Sequence, residues 1–274
     1  MESQPPVYEE RNEKRPPSFA QLRSQQQAPL LTPPASSFRT SFASVSLHMN
    51  DRVRLLGFSS TDVAQIHGIL DQYWPKGVAS TREYGASDEF RLNGSPWNPS
   101  TWFEDEKTAA RRLMCGLLKG LYDLGWVLKA PVDVLKKDGN KDTLLFRLQQ
   151  PPPPPCNWMC ISFNKSDLLQ LIGAPRAVCE AMSNILEDKI QRTQVLESSF
   201  EIKFLGYPWK AGGTDTVETR LILLKILDCL ERFGFSLYGS LNQDTKQGEH
   251  VENTDTWFCN QQANWMPGIP IYHG

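Results

Sequence analysis

Histidine and cysteine are the residues of this chain best suited to catalysis or metal binding, and their spacing predicts neither. The four histidines, at positions 48, 67, 250 and 273, lie outside any HExxH or GxSxG context. The six cysteines include no CxxC pair, and CNWMC with scattered histidines lacks the converging ligand pairs of a zinc site. We therefore expect reduced structural thiols, no metal, no cofactor and a non-enzymatic role. An unfamiliar enzyme built on carboxylates and lysines is the remaining alternative.

A short proline motif near the N-terminus predicts a protein partner. Residues 5–8 read PPVY, which matches the PPxY pattern that WW domains bind. In that pattern the prolines preform a polyproline II turn and the tyrosine fills an aromatic groove. Strings of this length also arise by drift in proline-rich segments. We expect Pro5, Pro6 and Tyr8 to bind a partner, of the WW-domain type or similar.

One nine-residue motif occurs twice in the chain. EFRLNGSPW occupies residues 89–97 and EIKFLGYPW occupies residues 201–209, with Glu, Gly, Pro and Trp at matching places. The simpler interpretation is structural: glycine allows a turn at the end of a strand, proline stops the strand, and the indole covers a core edge. The motif would then be a folding instruction preserved by duplication.

A functional interpretation of the same motif stays open. Trp97 and Trp209 could be paired aromatic walls of a groove between two repeats. Arg111, Arg220 and Lys210 could then meet an anionic small ligand or a lipid headgroup there. The sequence does not decide between this groove and two separate cores.

The elements around the motif are also repeated, which predicts an α+β fold made of two tandem copies. Alternating strands are expected at 43–49 and 158–164, and amphipathic helices at 59–74 and 175–190. The motif strand follows, then a leucine-rich helix ending at Gly125 or Gly234, then a hairpin. The predicted unit is β-α-β-α-β-β. The two units could share one continuous sheet or pack as pseudo-twofold partners. We expect pseudo-twofold packing, because helices on one sheet face leave the other face to be buried.

Composition divides the chain into five segments. Residues 1–42 are rich in Pro, Gln and Ser and predict a disordered tail. The first repeat spans 43–150, a polyproline linker 151–157, the second repeat 158–262, and a C-terminal tail 263–274. The linker prolines could also engage a proline-binding groove, although a stiff spacer is the simpler interpretation.

Charge and hydropathy limit the functional classes. The formal net charge of −2 gives no general attraction to nucleic acid, so none is expected as a partner. The most apolar run, LILLKILDCL at 221–230, is too short for a membrane span. The acidic N-terminal residues do not resemble a secretory signal, which predicts a protein of the cytoplasm or nucleus. We expect a protein-interaction or scaffold module, with a small-ligand or lipid-headgroup binder as the alternative.

Overall fold

The computed structural model describes residues 40–99, 104–132, 143–242 and 255–271. Within these ranges each half of the chain forms one six-stranded antiparallel sheet with two helices. The first repeat contains β1 Phe42–His48, β2 Arg52–Leu56, α1 Ser60–Tyr73, β3 Val78–Tyr84, β4 Ser87–Leu92, α2 Glu104–Asp123, β5 Trp126–Val132 and β6 Thr143–Leu148. The second contains β7 Cys156–Asn164, β8 Leu168–Ile172, α3 Arg176–Ile185, β9 Ile190–Val195, β10 Ser199–Phe204, α4 Asp215–Arg232, β11 Ser236–Leu241 and β12 Thr256–Gln262.

The two sheets have the same strand order. The first runs β3-β4-β2-β1-β6-β5 and the second β9-β10-β8-β7-β12-β11, so each strand has a counterpart at the same place in the other sheet. This match confirms the α+β class and the tandem duplication predicted from the repeated motif. The five prolines at 151–155 lie between β6, which ends at Leu148, and β7, which begins at Cys156.

Each repeat has two strands more than the predicted β-α-β-α-β-β order. Strands β2 and β8 follow β1 and β7 through tight turns in which Met49 and Lys165 have positive φ angles of 53° and 52°. Strands β3 and β9 lie at one edge of each sheet. Nearly all of their side chains face solvent, so they lack the alternation that marks a half-buried strand.

Helices α1 and α2 approach each other closely because α2 carries glycine at the contact. A Cβ atom at Gly116 would lie 2.2 Å from the Tyr73 ring, and one at Gly120 would lie 2.3 Å from Ile69. At its start, α1 is fixed by a capping box in which the Asp62 backbone N–H donates to the Ser59 hydroxyl. The first helix pair is therefore held tightly over its sheet.

The two repeats stack head to tail, which differs from the expected pseudo-twofold packing. Helices α1 and α2 cover one face of the first sheet, and α2 also packs on β7 and β8 of the second sheet. Helices α3 and α4 cover the opposite face of the second sheet. A twofold axis would bring like surfaces together, whereas here a helix layer meets a sheet. The layers therefore run first sheet, α1–α2, second sheet, α3–α4.

Burial along the strands reflects this layering. In β1 buried residues alternate with half-exposed ones, whereas β7 is buried continuously from Met159 to its end and β8 is buried throughout. Met159 and Ile161 enter the second core, while Cys160 between them enters the first. The second sheet is thus covered on both faces. Among the described residues the first sheet is covered on one face only, and we call its other side the open sheet face.

Candidate interaction surfaces

The tryptophans of the repeated motif have matching surroundings. The Trp97 indole N–H donates to the Arg52 carbonyl and the Trp209 indole N–H donates to the Leu168 carbonyl, each at 3.0 Å. Trp97 is fully buried in the first core, and Trp209 packs edge-on against Phe163 at the second. The two indoles lie in separate cores because each is bonded to its own repeat. They do not form paired walls of one groove.

The other residues proposed for that groove are dispersed. Arg111 is buried on α2 at the contact between the repeats, which we call the seam, whereas Arg220 is exposed on α4 and Lys210 is exposed in a short 3-10 helix. Trp209 and Arg220 do share a shallow cleft of about 490 Å³ within the second repeat. Pro5, Pro6 and Tyr8 of the PPVY motif lie outside the described residues.

An arginine cluster occupies the open sheet face. Glu89 of β4 is almost fully buried and accepts hydrogen bonds from Arg54 Nε at 2.6 Å and from Arg82 Nε at 2.7 Å. The Arg52 guanidinium also contacts this carboxylate. Arg54 and Arg82 in addition approach the Tyr84 ring, with guanidinium carbons 3.9 and 5.3 Å from its centroid. These contacts fix long side chains that would otherwise be mobile, because each guanidinium has two partners.

The charge of Glu89 is set by opposing effects. Burial by itself would raise the pKa of this carboxyl, while hydrogen bonds from Arg54, Arg82 and Arg52 lower it to about 2. Glu89 is therefore a carboxylate at neutral pH and leaves the cluster with net positive charge.

Apolar side chains occupy the open sheet face beside this cluster. Three residues lie side by side across β2, β1 and β6 and form what we call the open row: Leu56, Ser44 and Leu145. The same row across β8, β7 and β12 of the second sheet, the seam row, consists of Ile172, Cys160 and Phe258. Leu56 is 49% exposed and Leu145 38%, whereas Ile172 and Phe258 are at most 2% exposed. Equivalent positions are thus covered by α2 in one repeat and uncovered in the other.

A chain of polar side chains crosses the buried seam. The Ser162 hydroxyl lies 2.8 Å from Asn164 Oδ1, and the Asn164 amide donates to Gln170 Oε1 at 3.1 Å. The Gln170 amide then donates to Thr108 of α2 and to Ser199, both at 3.0 Å. These contacts fix the register of α2 on the second sheet, because a shift would leave buried amides without partners.

A cleft of about 1260 Å³ opens beside this chain and is lined by both repeats. Asp105 and Arg112 of α2 face it from the first repeat, and Arg176 and Glu180 of α3 face it from the second. Arg176 and Glu180 are paired at 2.7 Å on the helix surface. The cleft therefore carries charges of both signs, with Arg112 as a cationic group from the first repeat.

Several cysteine thiols are buried, and burial keeps them protonated. A hydrogen bond with Cys115 and burial both raise the pKa of Cys160, and burial raises the pKa of Cys229 to about 11. Burial also raises the pKa of Cys156 and Cys179, so these thiols are protonated at neutral pH. The described ranges contain no group of three or more His, Cys, Asp or Glu side chains that could hold a metal ion.

The sequence located the arginine cluster only in part. Glu89 and Arg91 alternate with Phe90 and Leu92 in the repeated motif, which puts them on the opposite side of β4, but this alternation does not identify their partners. The available signal is the alternation of Arg52 and Arg54 with Val53 and Leu55 in DRVRLL, a segment that is not among the predicted strands. The exposed edge strand that carries Arg82 gave no such signal.

Comparison with known proteins supports the duplication. One protein-family domain model matches the chain twice, over residues 41–147 and 157–260. The chain belongs to that family. The two matched ranges coincide with the two structural repeats.

Two further comparisons add little. A crystal structure of a conserved kinetoplastid-specific protein from Trypanosoma cruzi is similar at 23% identity, over 41% of this chain and 99% of that chain, with a TM-score of 0.29. No curated protein matches the chain. Among the described helices, none has both the length and the apolar character to cross a bilayer.

Proposed function

We propose that this chain is a non-enzymatic protein-interaction module, with the open sheet face as its main docking surface on the folded part. The observation that carries the proposal is the contrast between the open row and the seam row. Helix α2 covers the seam row of the second sheet. The equivalent open row of the first sheet is uncovered, although it contains Leu56 and Leu145. An uncovered apolar row on a face that is covered elsewhere in the same fold supports a partner surface.

The arginine cluster supports the same proposal. Protein interfaces are enriched in arginine and aromatic side chains around an apolar centre. Arg54 and Tyr84 lie together on this face, and the bond to Glu89 orders the guanidinium before any partner arrives. A side chain that is already ordered loses less conformational entropy on binding, so a preformed cluster favours association.

A paired-variant capture experiment tests this surface. Phe42→Ser with Leu145→Ser removes exposed apolar area from the open sheet face, and Leu205→Ser with Tyr207→Ser removes similar area elsewhere on the second repeat. Proteins captured by each tagged full-length chain are compared by quantitative mass spectrometry. We expect the first variant alone to lose partners. Identical partner sets for both variants and the unmodified chain would contradict the proposal.

The PPVY motif is proposed as a second, independent contact for a WW-type domain. Tyr8→Ala removes the ring expected to fill the aromatic groove, whereas Pro33→Ala with Pro34→Ala alters a proline pair that no tyrosine follows. Titration of purified WW domains into the full chain should show binding that is lost in the first variant and kept in the second. Equal affinity for all three chains would exclude this role of the motif.

A ligand-binding role at the seam cleft is the alternative function. The observation that favours it is that both repeats line one cleft, with Arg112 and Arg176 as cationic groups for an anionic headgroup. Vesicles containing a phosphoinositide, compared with phosphatidylcholine vesicles, and soluble inositol phosphate separate a membrane source from a free ligand. Arg112→Ala should weaken binding, with Lys210→Ala as the control. No binding of either probe by the unmodified chain would remove this alternative.

A further inference from the structure

The seam joins the outer side of a helix pair to one face of a sheet. Each repeat has one surface of each of these two kinds. Helix α2 packs on the second sheet, with the Thr108 hydroxyl 3.0 Å from the Gln170 amide and the Tyr122 ring edge-on to Trp158. One contact between unlike surfaces occupies one surface of each kind and leaves the second surface of each kind uncovered. The first repeat retains its open sheet face, and the second retains the outer side of α3 and α4.

The outer side of α4 carries an exposed apolar stripe. Val217, Leu221 and Leu224 follow one another at helical spacing and are 54%, 46% and 61% exposed. Gly125 and Gly234 follow α2 and α4 at corresponding places, and counting back from them gives the counterparts of this stripe in α2: Thr108, Arg112 and Cys115. Thr108 and Cys115 contact the second sheet at the seam. The α4 stripe is therefore exposed where α2 makes the contact between repeats.

We propose that a second copy of this chain docks its open sheet face on the α4 stripe, in the head-to-tail arrangement that joins the two repeats within one chain. The open row would take the place of the seam row, and the α4 stripe would take the place of the seam side of α2. This inference rests on the proposed function and names the partner of the open sheet face as the chain itself.

Charge complementarity supports a second copy as the occupant. Tyr122 of α2 contacts Tyr238, the bulge residue of β11, with ring centroids 5.7 Å apart. Their counterparts are Glu231, exposed on α4, and Lys129, the exposed bulge residue of β5. Glu231 of one copy therefore faces Lys129 of the next. The pair of tyrosines inside the chain is replaced by an opposite-charge pair between chains.

The contact between copies is more polar than the seam. Arg52 and Arg54 occupy the places that Leu168 and Gln170 hold in the second sheet, as the registers of β2 on β4 and of β8 on β10 show. Polar and charged contacts are screened by salt and bury less apolar area. Association should accordingly be reversible and weaker at high ionic strength. It should also continue beyond a dimer, because a head-to-tail contact leaves both ends open unless a ring closes.

Sedimentation velocity of the full chain up to about 0.5 mM, a range that reveals weak reversible contacts, tests the proposal. We expect species larger than a dimer in the unmodified protein. Leu224→Asp alters only the helix side, and Leu145→Asp alters only the sheet side. Each variant alone should be monomeric, and an equimolar mixture should form a dimer and nothing larger, because one intact contact can form. Leu205→Asp is the control and should associate as the unmodified protein does.

Exchanging the charges of Glu231 and Lys129 tests the same contact a second time without changing its apolar side chains. Glu231→Lys or Lys129→Glu should each weaken association, and mixing the two should restore assembly, because opposite charges then meet at both kinds of contact. A monomer at every concentration, or failure of both mixtures to recover association, would overturn the proposal. An unmodified protein that stays monomeric, but whose captured partners are still lost in the open-sheet-face variant, would contradict this inference and leave the proposed function standing.

Discussion

Glu89 is a buried carboxylate on a face that is otherwise rich in arginine, and its environment links the folding of the first sheet to pH. Its partners Arg54 and Arg82 come from the strands on either side of β4. The carboxylate therefore ties three strands together on the open sheet face. Removing it would leave several guanidinium groups close together with no acceptor between them.

The lowered pKa of Glu89 predicts a specific loss of stability in acid. Because the pKa falls from an ordinary value of 4.5 to about 2 on folding, the stabilisation is complete above pH 4.5 and is lost as pH falls through about 2. The contribution is on the order of 3 kcal/mol. Denaturant unfolding between pH 7 and 2 should show this extra decline in the unmodified protein and not in Glu89→Gln. The same decline in Glu89→Gln would assign it to other carboxyls, and Glu180→Gln is the exposed control.

Sequence reasoning at this scale succeeded for residues whose role is local. The simpler of the two interpretations of the motif, that its tryptophans are structural, agrees with their matching bonds to backbone carbonyls. The arginine cluster could not be predicted, because Arg54 and Glu89 are 35 positions apart and meet only through the register of β2 on β4. Such a register depends on turns whose geometry periodicity does not reveal.

At the scale of elements, the two helix pairs differ in how closely they pack. Gly116 and Gly120 of α2 allow α1 to approach, whereas the corresponding positions of α4 are Lys225 and Cys229. Glycine in a helix interior lowers helix stability by about 1 kcal/mol relative to alanine, so its presence at a contact indicates a packing requirement. The two glycines therefore allow α1 to pack directly against α2 over the first sheet.

Alanine substitution at two glycines separates packing from helix propensity. Gly116→Ala places a methyl group against the Tyr73 ring and should lower the free energy of unfolding by about 1–3 kcal/mol. Gly68→Ala lies on α1 with no atom within 4 Å of the new Cβ, so it should raise the free energy of unfolding by about 0.5–1 kcal/mol. Chemical denaturation measures both. Stabilisation by both substitutions would show that the close approach of α1 and α2 is absent.

The elements themselves were predictable where one face is buried and the other is not. The helices and the strands β1, β4 and β10 have that pattern, and each is near its expected place. Strand β7 is buried on both faces from Met159 onward and was recognised by its likeness to β1, while the five-residue β2 alternates but was not predicted as a strand. Strands β3 and β9 were missed because they are exposed on both faces, and β8 because it is buried on both. A strand that is exposed on both faces, or buried on both, lacks the alternation of apolar and polar residues that indicates a strand.

At the scale of the whole molecule, layering determines which surfaces remain for partners. Within the part of the chain that the structure describes, the second sheet is covered on both faces, whereas one face of the first sheet and the outer side of α4 are uncovered. The sequence predicted the duplication, but it did not predict how the two repeats pack on each other. Head-to-tail and twofold packing bury similar apolar faces, and they differ only in which face meets which.

A double-mutant cycle across the seam tests the layering most directly. Tyr122 of the first repeat contacts Trp158, on the α2 side of the second sheet, while Trp257 belongs to the core on the opposite side. The head-to-tail arrangement predicts a coupling of about 0.5–1.5 kcal/mol between Tyr122→Leu and Trp158→Leu in denaturant unfolding. It predicts additive effects for Tyr122→Leu with Trp257→Leu. Additivity in the first pair, or coupling in the second alone, would contradict the stacking of the two repeats on which the proposed surfaces depend.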